Sequence, residues 1–294
     1  QEAVQKRVMP SLIDIRRRIR SVKNTQQITK AMKMVSAAKL RRAQERALAS
    51  RPYSNIMSRV LANVAAASAG TDEVADLPLL QVREEKRVQL IVVSSDTGLA
   101  GAFNSNLLRA AQRFIDQRDR AGLRIETIGR KGRDYFKRRN FPVSGEYVGI
   151  VEKPNIEKAR EIAHKMIDLY SKAEIDAVYV VVNEFKSVMA PHIVTRKILP
   201  VELPEGGGEQ IDYIYEQPPG DLLRVLLPRY VEVSIYRAML ESLSAYHAAR
   251  MTAMDAASSN AGDVIQSLTL NLNRVRQASI TREIIEIVSG AAAL

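Results

Sequence analysis

The spacing of apolar residues in the last quarter of the chain predicts one very long helix. Apolar and small residues recur alternately three and four positions apart, at Met251, Met254, Ser258, Ala261, Ile265, Leu268, Leu272 and Val275. This spacing is typical of a coiled-coil seam, which is narrower than the buried face of a globular helix. No proline follows Pro228, so we expect a helix from Asp221 to Leu294. At about 1.5 Å per residue it would be roughly 100 Å long, and it therefore needs a partner helix.

A second apolar stripe predicts a long helix that begins near Ser11. Its seam is predicted at Leu12, Ile15, Ile19, Val22, Ile28, Met32, Val35, Tyr53, Ile56, Val60 and Val64. The stripe is interrupted by the polar residues 24–27, which we interpret as a register shift in a coiled coil. The alternative is a polar surface that faces a partner. Pro52 predicts a bend or a cap in this helix.

Between the two stripes the pattern changes to short apolar runs that alternate with amphipathic segments. Residues 88–95 form a continuous apolar run, typical of a strand buried on both faces. Further strands are predicted over 123–128, 141–147, 177–185, 193–201 and 211–215, and helices over 104–120, 134–139 and 156–171. This order calls for a mainly parallel sheet with helices on both faces, and the strand over 193–201 fits an antiparallel edge.

The predicted fold class is therefore α/β plus all-α. The N- and C-terminal helices form a long antiparallel coiled coil, each serving as the other's only partner, and a Rossmann-like α/β domain is inserted between them. We place the N-terminal helix at residues 1–70, the α/β domain at 71–217 and the C-terminal helix at 218–294.

The positive charge of the chain is concentrated at one end. The net charge is +11, yet residues 1–60 hold 15 Lys and Arg against 3 Asp and Glu. Residues 61–220 carry a net charge of −1, and residues 221–294 are neutral. A solvated helix gains from pairs of opposite charge four residues apart, and the first helix mostly lacks them. We expect an acidic partner to face it.

Sites for chemistry are sparse in this sequence. The turn from Asp96 to Gly101 follows a buried strand, where α/β sheets bind phosphates, but its glycine spacing matches neither phosphate-binding fingerprint. We expect a tight turn there, and the basic turn Gly129–Gly132 is equally unspecific. The chain has 3 His, widely separated, and no Cys, so we expect no metal site, no disulfide and no catalytic triad. We interpret His247 as a tolerated polar residue of the seam.

Two features limit where the chain works. No signal peptide is visible, and no apolar run approaches the roughly eighteen residues that a membrane span requires, so we expect a soluble chain that can lie against a membrane complex. Amide, hydroxyl and guanidinium groups, rather than Glu and Lys, interrupt the C-terminal stripe. These groups suggest a surface that meets other proteins.

Several motifs resemble the γ subunit family of F-type ATP synthases, bacterial type. They are Ser21–Thr25 and Ile28–Val35 in the first helix, Ser95–Gly101 in the turn, and Ala248–Met254, Asn273–Glu283 and Glu286–Ala291 in the last helix. The terminal motifs are highly specific, and the resemblance covers essentially the whole chain.

The resemblance implies a non-catalytic rotor of the central stalk. Its coiled coil stands inside a hexamer of α and β subunits, and its α/β domain lies beside ε on a proton-driven ring of c subunits. The chain itself would bind no cofactor, since ATP, ADP and Mg belong to α and β. The complex would lie at the cytoplasmic face of the bacterial plasma membrane.

Residues that match functional positions of the family fall into three groups. Those implied to contact the catch loop of β are Arg250, Arg276, Gln277 and Thr281. Those implied to face the acidic lever loop of β are Lys30, Met32 and Lys33. Those implied to touch the c ring are Tyr213, Tyr215 and Glu216.

Two departures and two alternatives accompany the resemblance. Thr97 and Ala100 stand where many members have Arg and Cys, so no role transfers to them, and the absence of a regulatory Cys pair argues against redox control. A basic coiled coil that binds nucleic acid is the alternative function, and it predicts steeply salt-dependent binding. A dinucleotide-dependent enzyme is a third hypothesis, which the glycine spacing disfavours.

Overall fold

A computed structural model describes residues 11–67, 77–187, 191–202 and 218–292 of the chain. Its helices are α1 (Leu12–Ala67), α2 (Phe103–Asp116), α3 (Arg130–Lys137), α4 (Ile156–Ser171) and α5 (Pro219–Ala292). Its strands are β1 (Val88–Val93), β2 (Leu123–Ile128), β3 (Val143–Tyr147), β4 (Ala177–Phe185) and β5 (Pro191–Leu199), and a short 3-10 helix spans Pro78–Leu80. The strand predicted over 211–215 lies outside the described residues.

The described strands form one sheet in the order β3-β2-β1-β4-β5. β1 pairs in parallel with β2 and β4, and β2 pairs in parallel with β3. β5 runs antiparallel to β4, which confirms the predicted antiparallel edge. The predicted bounds of α4 and β4 match the structure, whereas α2 ends four residues earlier and α3 begins four residues earlier than predicted.

The chain divides into two compact units, one made of Gln1–Val35 with Met251–Leu294 and the other of Ser36–Arg250. In the second unit, α2 and α3 cover one face of the sheet through side chains such as Leu107 and Phe136. The opposite face is covered by α4 and by parts of both long helices, including Leu61 of α1 and Leu227 of α5. The sequence analysis had predicted that each long helix is the other's only partner. This is wrong for residues such as Leu61 and Leu227, which pack into the core beneath the sheet.

In the first unit the two ends of the chain pair in antiparallel directions. The Gln26 amide donates to the carbonyl oxygen of Ser258 over 3.1 Å, and Lys33 reaches Asp255 at 2.6 Å. Residue numbers of the contacting partners therefore fall along α5 as they rise along α1, which shows that the helices are antiparallel. Every residue of the predicted C-terminal stripe is buried or half-buried, which confirms that seam. We call residues 11–35 and 251–279 the terminal coiled coil.

The predicted seam of α1 is wrong at its polar interruption. Ile28 is 59% exposed and Val35 is 55% exposed, whereas Thr29 and Ser36 are buried. The predicted Tyr53 and Ile56 are exposed too. The buried or half-buried positions instead keep a constant alternation of three and four residues, at Leu12, Ile15, Ile19, Val22, Gln26, Thr29, Lys33, Ser36, Leu40, Ala43, Ala47, Ser50, Ser54, Met57, Leu61 and Val64.

The seam of α1 therefore continues through the interruption without a register shift, because polar side chains occupy its positions there. Helix α1 also continues through Pro52, so that residue is not a cap. The predicted domain boundaries after residues 70 and 217 fall outside the described residues and stay predictions.

Candidate functional site

Helix α5 covers the carboxyl edge of the sheet, where open α/β sheets bind ligands. The topological switch point lies between β1 and β4. The Ser242 hydroxyl donates to the carbonyl oxygen of Val93, at the end of β1, over 3.2 Å. The Tyr246 hydroxyl lies 2.5 Å from Thr97 Oγ1 in the turn that follows. Both α5 residues are buried, so the chain's own helix occupies the crevice that would receive a nucleotide.

At the N-terminus of α3, where a bound anion could lie, the carboxylate of Asp96 accepts the backbone hydrogen bonds. Asp96 Oδ1 accepts hydrogen bonds from the backbone N–H groups of Arg130 and Gly149, each over 3.0 Å. The N–H of Gly132 donates to Ser94 Oγ over 2.8 Å. A helix N-terminus attracts phosphate through such N–H groups, and here they already have partners. These contacts fit the predicted tight turn after β1.

His247 and Arg250 lie close together where α5 leaves the sheet. Burial, together with the nearby charges of Lys39 and Arg250, lowers the pKa of His247 to about 4. Arg250 donates to the Tyr246 hydroxyl over 3.1 Å, so its guanidinium is tied to the side chain that fills the crevice. The predicted polar residue at 247 is thus a buried neutral imidazole, only 3% exposed.

The described ranges contain neither a cluster of metal ligands nor a helix that could span a membrane. No three His, Asp or Glu side chains there come together as metal ligands. None of the helices described has both the length and the apolar character that crossing a bilayer demands.

A polar layer interrupts the apolar seam of the terminal coiled coil. The Ser258 hydroxyl donates to Thr29 Oγ1 over 2.7 Å, and both side chains are buried. Gln26 and Lys33 hold the neighbouring positions through their bonds to α5. Polar pairs at seam positions specify the register of a coiled coil at some cost in stability. The layer therefore fixes one axial alignment of the two ends.

The structure separates the three residues matched to the lever loop of β. Lys30 is exposed and forms no ion pair with any of the described residues. Met32 is half-buried at the edge of the seam. Lys33 is half-buried and bound to Asp255 of α5. Lys30 is therefore the free cation of this group, while Lys33 already has a carboxylate inside the coiled coil.

At the end of α5 every side chain from Ile280 to Ala291 is exposed. Arg276 and Gln277 come just before this stretch and Thr281 lies within it. All three are exposed, and Thr281 Oγ1 donates to the backbone carbonyl oxygen of Gln277 over 2.9 Å. Arg250 belongs to the other compact unit. The three c-ring residues, Tyr213, Tyr215 and Glu216, lie outside the described residues.

The sequence analysis missed an apolar surface on this same end of α5. Its large apolar side chains are 46% to 71% exposed, at Ile280, Ile284, Ile285, Ile287 and Val288. The signal was present, because apolar residues recur beyond the last predicted seam position. Clustered exposed apolar side chains are typical of surfaces that contact other proteins.

Comparisons with known proteins decide the family. The family model described as ATP synthase matches residues 11–294. A curated relative, the ATP synthase gamma chain of Solibacter usitatus, is 59% identical over 97% of this chain and 99% of its own length. The chain belongs to the ATP synthase gamma-chain family. It is a non-catalytic subunit of an enzyme complex, in keeping with the filled crevice of its sheet.

Other members and solved structures agree with this family. The ATP synthase gamma chain of Pelotomaculum thermopropionicum is 50% identical over 97% of this chain and all of its own. A chain of the Euglena gracilis mitochondrial ATP synthase, solved with F1 and c-ring, has a TM-score of 0.68 at 16% identity, covering 96% of this chain and 94% of that one. A chain of the Tetrahymena thermophila central stalk and c-ring has a TM-score of 0.57 at 24% identity, covering 79% and 99%. These two likenesses show that the chains share a fold.

Proposed function

We propose that the chain is the central-stalk rotor subunit of a bacterial F-type ATP synthase. It transmits torque between a proton-driven ring of c subunits and the catalytic β subunits. The observation that carries this proposal is the antiparallel pairing of the chain's two ends, shown by the Gln26–Ser258 and Lys33–Asp255 contacts, in a member of this family. The comparisons give no support to a nucleic-acid-binding function.

The terminal coiled coil suits torque transmission because its two helices cannot slide past each other easily. A one-heptad slip would remove the Thr29–Ser258 hydrogen bond that joins the two helices. Losing such a hydrogen bond costs about 0.5–1.5 kcal/mol. The small residues of α5 at its seam, such as Ala261, keep the pair thin enough for a narrow bore.

The contacts with the hexamer of α and β subunits use two kinds of surface. Exposed Lys30, with Met32 and Lys33 beside it, faces the acidic lever loop of β. Arg250, Arg276, Gln277 and Thr281 bind its catch loop. The exposed apolar side chains at the end of α5 lie against the inner wall of the hexamer.

The α/β unit contacts the ε subunit and the ring of c subunits, and Tyr213, Tyr215 and Glu216 meet the c ring. The chain is then peripheral, at the cytoplasmic face of the plasma membrane. It binds no cofactor itself, and ATP, ADP and Mg occupy sites of the α and β subunits.

A disulfide between the chain and β tests the proposal in the assembled complex. The chain has no Cys, so Gln277→Cys introduces a single thiol in the exposed end of α5. A second Cys in the facing catch loop of β allows oxidation to join rotor and stator. We expect ATP turnover to stop on oxidation and to return on reduction, because a rotor joined to β cannot turn.

The matched control carries Gln277→Cys with an unmodified β, and oxidation should leave its turnover unchanged. Full turnover in a complex whose chain is quantitatively joined to β would refute the rotor function.

A further inference from the structure

A strongly basic segment of the α/β unit has no part in the contacts assigned above. Residues 130–139 contain six Lys or Arg and one Asp, although residues 61–220 as a whole carry a net charge of −1. The segment comprises α3 and the two residues after it. It includes most of the basic turn Gly129–Gly132, which the rotor function leaves unexplained.

This segment and α2 together line a cleft of about 460 Å³. Arg109 of α2 stands on one side, and Lys131, Arg138 and Arg139 stand on the other, with the ring of Tyr135 among them. We call this the α2–α3 cleft. All four cationic side chains are exposed.

The few carboxylates near the cleft are already neutralised. Asp134 pairs with Arg133 at 2.7 Å, and this hydrogen-bonded pairing holds the pKa of Asp134 below its ordinary value. Glu146 pairs with Lys137 at 2.6 Å. Three cations of the cleft, Arg109, Lys131 and Arg138, have no carboxylate within 4 Å among the described residues. Like charges gathered around one concave surface, without internal partners, favour an anionic ligand.

The ligand that fits best is a polypeptide segment with several carboxylates. A compact phosphate site uses backbone N–H groups at a helix N-terminus. In α3 these groups bond Asp96 Oδ1, the Ser95 carbonyl oxygen and Ser94 Oγ. The cations instead come from two helices and surround an open groove, and the guanidinium of Arg139 stacks on Tyr135, 3.8 Å from the ring centroid. Distributed cations beside a half-buried aromatic ring suit an extended acidic segment.

We propose that the α2–α3 cleft binds an acidic segment of a neighbouring polypeptide in the assembled complex. The segment carries three or more Asp or Glu within about ten residues, so that it can reach the cations of both helices. This surface is separate from the basic face of α1 and from the end of α5. The inference rests on the proposed function, because it requires neighbouring subunits.

Photocross-linking in the purified complex tests this proposal directly. The photoreactive amino acid p-benzoylphenylalanine replaces Ser105, an exposed residue that lines the cleft. Irradiation should give an adduct with another subunit, which mass spectrometry maps to an acidic segment. The triple variant Arg109→Glu, Lys131→Glu and Arg138→Glu should lower the adduct yield at least about fivefold, since opposite charges hold the two surfaces together.

The matched control reverses the same number of charges elsewhere on the α/β unit. Arg124→Glu, Lys153→Glu and Lys172→Glu alter three exposed cations that do not line the cleft. The adduct yield of this control should stay within about twofold of the unmodified complex. If the reversed cleft variant fails to assemble, Arg109→Gln, Lys131→Gln and Arg138→Gln replace it, with the same expected direction.

Three results would overturn the proposal: no adduct in an intact complex, an adduct on a segment without carboxylates, or a yield that the cleft variants leave unchanged. Protection of Lys131 from acylation by inorganic triphosphate, without any polypeptide adduct, would assign the cleft to phosphate instead. Failure of the unmodified chain to co-purify with α and β would refute the proposed function rather than this inference.

Discussion

At the scale of single residues, His247 shows how burial in α5 determines a protonation state. The imidazole is buried beside Lys39 and Arg250, and its pKa falls from 6.5 to about 4. Between these values the unfolded chain binds more protons than the folded chain. The free energy of unfolding contributed by this group is therefore complete above pH 6.5 and is lost as the pH falls toward 4.

Replacing this imidazole should reduce the acid sensitivity of the chain. We expect His247→Gln to lose about 2–3 kcal/mol less unfolding free energy than the unmodified chain between pH 7 and about pH 4.5. Urea unfolding at the two pH values measures this difference. His192→Gln, which changes an exposed imidazole, is the matched control and should follow the unmodified chain. Equal acid sensitivity of the two variants would contradict the burial of His247.

At Gly129, in the turn that leads into α3, the backbone conformation and the surrounding atoms require glycine. Its φ of +100° suits glycine, and an added Cβ would lie 2.4 Å from the carbonyl oxygen of Ser94. Gly149 also has a positive φ, but its Cβ would meet nothing within 4 Å. We expect Gly129→Ala to cost about 2–4 kcal/mol of unfolding free energy and Gly149→Ala about 1 kcal/mol. Thermal unfolding compares the two, and equal costs would rule out the clash with Ser94.

The sequence identified candidate site residues one at a time, but it could not predict which of them pair with distant parts of the chain. It singled out Lys33 as a cation for a partner, yet Asp255 already binds this lysine. It missed Ile284 and Ile287 as a surface, because in a sequence exposed apolar residues look like a continuing seam. Burial and pairing depend on residues more than two hundred positions away, which local patterns cannot report.

At the scale of elements, the two long helices differ in how well their pattern predicts their packing. In α5 the seam positions are apolar or small, so the predicted stripe matches the buried face. In α1 the seam passes through Gln26, Thr29 and Ser36, while the adjacent Ile28 and Val35 face outward. The pattern of apolar residues therefore predicts the wrong buried face wherever polar residues occupy the seam and apolar residues are exposed beside it.

The contribution of the polar layer to the pairing of the two helices can be measured as a coupling free energy. Thr29 and Ser258 share a buried hydrogen bond of 2.7 Å, so Thr29→Val and Ser258→Ala should not be additive. We expect a coupling energy of about 1 kcal/mol from a double-mutant cycle on the free energy of unfolding. The control cycle pairs Thr29→Val with Thr269→Ala, whose hydroxyl bonds only its own helix, at Ile265. A coupling no larger than that of the control cycle would remove the layer as a register determinant.

At the scale of the whole molecule, the sequence predicted the arrangement of elements better than the distribution of charge. The order of strands and helices was enough for the parallel sheet and its antiparallel edge, because connections in such folds follow few rules. The α2–α3 cleft was not predicted from the sequence, because Arg109 and Arg138 are 29 residues apart. The net charge of residues 61–220 is only −1, since acidic residues elsewhere balance these cations. The filled crevice was equally hidden, because Tyr246 comes from the far end of the sequence.

The most direct measurement of the central claim is rotation of the chain in a complex whose two paired ends are joined covalently. Thr29→Cys and Ser258→Cys place two thiols where the native hydroxyls lie 2.7 Å apart, and the hexamer is fixed to a surface while a bead on Lys172→Cys reports rotation. If the paired ends form one rigid rotor element, ATP will drive unidirectional rotation equally well with this bond oxidised or reduced. Loss of rotation on oxidation, with rotation in the reduced complex, would contradict that account.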